Sequence, residues 1–277
     1  MLYRAVGALA RRIIDRGGRR ARIAQVNLAI ALPEKSETER QELARRAFAE
    51  LLWAGLDMAR AGGWSPAQLR ERVDFDAREH IDKALAAGRG CLVLIPHLSS
   101  LELALRAAPA HGVPITVMTK PASNPLIDAH LNAQRERAGA RVLAHRGVAK
   151  QALRVLREGR LLVISNDQYE RRSKSVKVTF FGVRVPTGRG LATLSLRTGA
   201  PVVPFYITRQ DVRHSRMVSL PPIEPIVADS ARPDVEVLTE RYNRAIEGII
   251  REHPEQYLWS HKRFRHSPDL PPDVYER

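Results

Sequence analysis

Among 277 residues there is a single cysteine, Cys91. That excludes a disulfide framework and any cysteine-rich zinc site, and it fits a reducing compartment. Aromatic residues make up only 5%. They are not interleaved with the basic residues as base stacking requires, and no helix-turn-helix or RNA-binding motif is present, so nucleic acid is not an expected partner. Long hydrophobic runs are missing too. A membrane span needs about 20 consecutive apolar residues, and the runs here are as short as CLVLIP, residues 91–96. Charges interrupt every apolar stretch near the start, so neither a secretory signal nor a transmembrane helix is expected. Acidic residues are in deficit. Lys+Arg number 45 against 30 Asp+Glu, a formal net charge of +15. Such an excess suits an anionic partner, either a negatively charged membrane surface or an acidic protein. Most of it is arginine in an Arg/Ala/Leu-rich chain, so codon composition accounts for part of it.

Hydrophobic residues at 44% and charged residues at 27% describe a globular chain. Residues 1–16 read as a basic amphipathic helix, with Leu2, Val6, Leu9 and Ile13 at helical spacing. Gly17-Gly18 ends it. Up to Asn27 there are seven arginines against one acid, Asp15. Two uses fit this pattern: seating on an anionic bilayer, or packing the apolar stripe on the core. Ser36-Glu37-Thr38-Glu39 is a capping box opening a helix to Gly62. Ser65–Arg72 is a second short helix. From Cys91 onward strand and helix alternate. Strands are expected at 91–95, 115–119, 142–143, 161–165, 176–181, 202–208 and 216–220, and helices at 100–110, 124–138, 148–158 and 234–252. The alternation predicts an α/β fold, a mixed and largely parallel sheet flanked by helices. With no internal repeat or linker, the expectation is a single domain over 1–277. It divides into a basic N-terminal segment (1–23), a helical extension (24–89) and an α/β core (90–277).

The sharpest chemical feature is IPHLSSLE, in which His97 stands five residues before Glu102. His97 falls at the C-terminal end of a buried strand, the edge where open α/β sheets bind ligands. Imidazole suits proton abstraction near neutral pH. A carboxylate on the following turn would hold the ring in one tautomer. Glu102 has a second use, because Ser99-Ser100-Leu101-Glu102 is also a capping box. Arg135 continues the spacing Ile127, Leu131, Arg135 toward the interior, where a guanidinium needs an anionic partner. Asp167 ends the LLVIS strand on the same sheet edge and is free to pair with Arg135 or bond a substrate. Asp128 and His130 lack a third ligand at matching spacing, so no metal site is expected. Arg171, Arg172, Lys174 and Lys177 form a basic run. His261, Lys262 and Arg263 sit among Trp259 and Phe264, a mixture that fits a membrane interface or a phosphate as well as packing.

HLSSLE resembles the H-x4-D/E motif of glycerolipid acyltransferases. Further blocks in order narrow the resemblance to the late acyltransferases of lipid A biosynthesis. These are NLAIALPEKSETERQELARRAF (27–48), NPLID (124–128), Asp167-Gln168, VTFFGVRVPT (178–187) and HPEQYLWSHKRFR (253–265). The resemblance implies a glycerolipid-acyltransferase-like fold and transfer of a fatty acyl chain to a hydroxyl of a lipid A precursor or related glycolipid. The donor would be acyl carrier protein or acyl-CoA. His97 is then the general base with Glu102 orienting it, and Arg135, Asp167, Arg137 and Gln168 bind substrate. No cofactor is implied, and the expected location is peripheral, on the cytoplasmic face of the bacterial inner membrane. Two other readings stand beside it: an acyltransferase acting on lysophospholipid, ornithine lipid or phosphatidylinositol mannoside, and a non-catalytic basic lipid- or nucleic-acid-binding protein.

Overall fold

The computed structural model describes residues 2–118, 122–143, 148–225 and 234–276. Thr119, the end of the expected second strand, lies outside them, as do the side chains of Leu2, Tyr3, Arg4, Val148 and Arg172. Three helices lead: α1 (Leu2–Asp15), α2 (Arg19–Ala31) and α3 (Glu37–Arg60). The capping box at Ser36 forms as its sequence dictates, with the hydroxyl accepting from the Glu39 amide and Glu39 reaching back to Ser36 N–H. A second one, Ser65 with Gln68, opens α4 (Pro66–Arg72). The expected helical extension then contains a strand. β1 (Val73–Asp76) joins the sheet edge beside the strand Ser215–Ser219, and α5 (Glu79–Ala86) follows it. VDFD alternates as a strand does, but a run of four residues between two helical patterns is too short to stand out.

The remaining elements are β2 (Cys91–Leu94), α6 (Leu101–Ala110), β3 (Ile115–Val117), α7 (Pro125–Arg137), β4 (Arg141–Val142), α8 (Val148–Arg157), β5 (Leu161–Ile164), β6 (Ser175–Phe180), β7 (Val183–Gly188), α9 (Gly190–Thr198), β8 (Val202–Arg209), β9 (Ser215–Ser219) and α10 (Asp234–Glu252). Seven strands form a sheet in the order β1-β9-β8-β2-β5-β3-β4. All neighbours are parallel except β8 and β9. β6 is not in that sheet. It pairs with β7 in a separate hairpin, turned at Phe181 and Gly182, both with positive φ.

β2 is buried along its whole length because both faces are covered. Leu92 and Leu94 face one core with Leu162, Ile164 and the helices α1–α3, α8, α9 and α10. Cys91 and Val93 face a second core with Leu161, Val163 and the helices α4–α6. Burial pushes the Cys91 thiol up to about 12, so it stays protonated. The buried face of α1 is shifted from the expected stripe: Ala10 and Ile14 join the first core and Val6 is buried, while Leu9 is half exposed.

Candidate functional site

The parallel register of β2 and β5 sets the site. Leu94 pairs with Ile164. His97 and Asp167 each stand three residues beyond that pair, so equal offsets bring them side by side at the carboxyl edge of the sheet. Asp167 is 1% exposed, and its carboxylate accepts two bonds from His97. Nδ1 lies 2.7 Å from Oδ1, and the backbone N–H donates to Oδ2 at 2.8 Å. An ionised carboxylate only accepts, so Nδ1 carries the proton and Nε2 is the basic nitrogen. Burial alone would lower the His97 pKa; the charge and hydrogen bond of Asp167 outweigh it and hold it above its ordinary 6.5. Asp167 is likewise held below its ordinary value: burial would raise it, and His97 with its backbone N–H prevails.

The carboxylate on His97 is therefore not that of Glu102. Ser100, the N-cap of α6, has φ −94° and ψ 76° and makes no side-chain cap bond, so the alternative capping box does not form either. Glu102 is gripped by Arg135 instead, bidentate through Nε at 3.0 Å and through Nη2. Arg135 is buried, and Nη1 also donates to Asn132 at 2.7 Å. Asp167 pairs with His97 and Arg135 pairs with Glu102, which corrects the expected His97–Glu102 pair and takes neither of the uses left open for Asp167, a bond to Arg135 or to substrate. The reach of Arg135 inward does not come from an apolar stripe on α7, since Ile127 is half exposed and Leu126 is 80% exposed. Arg137 points to solvent on the other side of α7, and Gln168 is half-buried next to Asp167.

The C-terminal block closes over this edge. Leu258 N–H donates to the His97 carbonyl at 3.0 Å, and Ser99 N–H donates to the Gln256 carbonyl at 2.8 Å, pinning the turn from both sides. The aromatic and basic residues here pack inward. Trp259, Arg263 and Phe264 are buried. Arg263 donates to the Pro186 carbonyl and to Thr187 at the end of the hairpin, and stacks over Phe180. The basic residues Arg171, Lys174 and Lys177 are exposed.

Three charged side chains that touch this region escaped the sequence reading: Arg106, Glu50 and Arg209. Arg106 is buried on α6, donating to the Met58 carbonyl at 3.0 Å and to Gln134. Its signal was visible as Glu102 and Arg106, four apart on an otherwise apolar helix. Glu50 and Arg209 gave none, because their contact joins α3 to the end of β8 across 159 positions.

The sequence profile of the bacterial lipid A biosynthesis acyltransferase family matches residues 1–266. The chain belongs to this family. Among lipid A acyltransferases it is 29% identical to the lipid A biosynthesis lauroyltransferase of Escherichia coli strain K12, over 99% of this chain and 89% of that one. It is 28% identical to the palmitoleoyltransferase of the same strain, over 95% and 83%. The myristoyltransferase is similar at 26%, over 86% and 73%. Of solved structures, the 1-acyl-sn-glycerophosphate (LPA) acyltransferase PlsC of Thermotoga maritima aligns with 81% of this chain and 95% of its own. The identity is 14% and the TM-score 0.37, a loose likeness. For a lipid A acyltransferase the motif His97-x4-Glu102 thus splits in space. Its histidine takes Asp167 as partner, and its glutamate anchors α7 to the start of α6.

Proposed function

We propose that this protein transfers a fatty acyl group from the thioester of acyl carrier protein, or of coenzyme A, to a hydroxyl of a lipid A precursor or related glycolipid. The observation that carries this reading is the His97–Asp167 pair at 2.7 Å, on the ligand-binding edge of the sheet. Nε2 of His97 takes the proton of the acceptor hydroxyl. The oxygen attacks the thioester carbonyl carbon, and the C–O bond forms. The tetrahedral intermediate then collapses with C–S cleavage, and the departing thiolate receives the proton from the imidazolium. No enzyme nucleophile is needed, because the acceptor oxygen attacks directly. Asp167 fixes the tautomer and stabilises the imidazolium while His97 holds the proton. Glu102 and Arg135 neutralise one another and position α6, whose first turn follows the His97 loop.

Among the described residues no helix is long and apolar enough to cross a membrane. Contact with the lipid acceptor is peripheral in this reading, at the cytoplasmic face of the inner membrane. Val6, Ala10 and Ile14 of α1 are buried against the protein. The surface left for lipid is the exposed Leu9 with Arg11, Arg12, Arg16, Arg19, Arg20 and Arg22, together with the exposed Leu126 and Ile127 of α7. The net charge of +15 suits both an anionic surface and an acidic donor protein. Transfer from labelled acyl carrier protein to a Kdo-bearing lipid A precursor, absent with His97→Ala, is the expected result. Full turnover by folded His97→Ala would refute the base assignment.

A further inference from the structure

The turn that carries His97 is held by more than the C-terminal block. Ser99 is in the left-handed region, with φ 49°. A non-glycine residue holds that conformation only when its surroundings fix it. Its hydroxyl donates to Glu50 Oε1 at 2.8 Å. Glu50 comes from the middle of α3, and Arg209 Nε bonds its two carboxylate oxygens at 2.9 and 3.0 Å. The same guanidinium reaches Asp57 at 2.6 Å and lies 5.5 Å over the Trp53 ring. The side chains of Arg209, Glu50 and Asp57 are 7%, 11% and 4% exposed. The main chain of Arg209 is in turn held by the Gln256 carboxamide, which accepts from its N–H at 2.8 Å and donates to its carbonyl at 3.1 Å. Gln256 returns to the start, since its own carbonyl accepts the Ser99 N–H at 2.8 Å. Ser99, Glu50, Arg209 and Gln256 form a closed ring of hydrogen bonds drawn from four separate segments of the chain.

We infer that this ring is a positioning device for the reaction: Glu50 and Arg209, through Ser99, hold the turn that sets His97 against Asp167. The inference rests on His97 being the base. None of the ring residues needs to touch substrate. A buried ion cluster is expensive to desolvate, and apolar residues of the same volume would serve mere stability as well or better. This cluster is arranged so that the Ser99 hydroxyl it holds lies two residues from His97. Burial would lower the Arg209 pKa, but Glu50 and Asp57 outweigh it and hold the guanidinium charged.

Ser99→Ala tests this, because it removes the hydroxyl and leaves the Glu50–Arg209–Asp57 cluster intact. We expect kcat to fall about tenfold or more, KM to stay within twofold, and the melting temperature to stay close to the parent. The imidazole titration of His97, followed by NMR and assigned by its loss in His97→Ala, should move down as its contact with Asp167 loosens. Glu50→Gln keeps an oxygen for Ser99 and should retain most of kcat, whereas Glu50→Ala should resemble Ser99→Ala. If Glu50→Ala does not fold, Ser99→Ala decides alone. An unmoved His97 titration in Ser99→Ala overturns the inference, and so does a kcat loss matched only by a fall in stability. Turnover by His97→Ala would instead overturn the base assignment, and the NMR titration would still judge the ring.

Discussion

His97 and Asp167 are joined by two hydrogen bonds, and each holds the other charged. The consequences for stability and rate have opposite signs. His97 has its folded pKa raised above 6.5, so its stabilising contribution is complete below 6.5 and is lost as pH rises through the raised value. Asp167 has its folded pKa lowered below 3.8, so its contribution is present above 3.8 and is lost as pH falls through the lower value. The pair is therefore most stabilising from about pH 4 to 6.5. In the proposed reaction the base needs the neutral imidazole, so kcat should climb with pH through an apparent pKa above 6.5. Thermal melts and initial rates across pH 5 to 9 should diverge in this way, and rates that peak at or below pH 6 would contradict it. Asp167→Asn should cost roughly 10²–10⁴ in kcat, because the amide no longer fixes the tautomer. Its rate profile should shift to lower pH.

Between elements, the Glu102–Arg135 pair ties α6 to α7. Removing one partner leaves a largely buried charge, and Glu102→Ala should lower unfolding stability by roughly 3 kcal/mol in urea titrations. If Glu102 acted on His97 instead, Glu102→Gln would move the apparent pKa of kcat. We expect that pKa to stay put. Much at this level was legible beforehand. The capping box at Ser36 and the short apolar runs of β2 and β5 are local signals, and each formed where expected. Which carboxylate meets His97 was not legible. His97 and Glu102 are five apart and His97 and Asp167 seventy apart, and only the strand register decides between them. Nor was the α6 cap legible: Ser99-Ser100-Leu101-Glu102 has the letters of a capping box, but the left-handed Ser99 directs its hydroxyl to Glu50 instead. The β6–β7 hairpin was read only by its first strand, because Pro186 interrupts the alternation that Val183, Arg184 and Val185 begin.

Taken whole, the molecule is basic on its outside and carries the exposed arginines of residues 11–22 beside Leu9. Each basic residue near an anionic bilayer contributes about 1 kcal/mol. Replacing Arg12, Arg16, Arg19 and Arg20 by serine should weaken sedimentation with phosphatidylglycerol-containing vesicles by more than tenfold and leave the fold intact, since none of them is buried. Added salt should weaken the parent protein in the same direction, and salt-independent binding would remove the electrostatic part of the account. Placement of the reaction rests on the family, the sheet edge and the His97–Asp167 pair together, and these meet in one assay. Labelled acyl carrier protein is offered with a lipid panel that includes a Kdo-bearing lipid A precursor and lysophospholipids, with His97→Ala as the blank. Label is expected on the lipid A precursor, with none in the blank. Label on another lipid alone would contradict the acceptor, and equal label in the blank would contradict the mechanism.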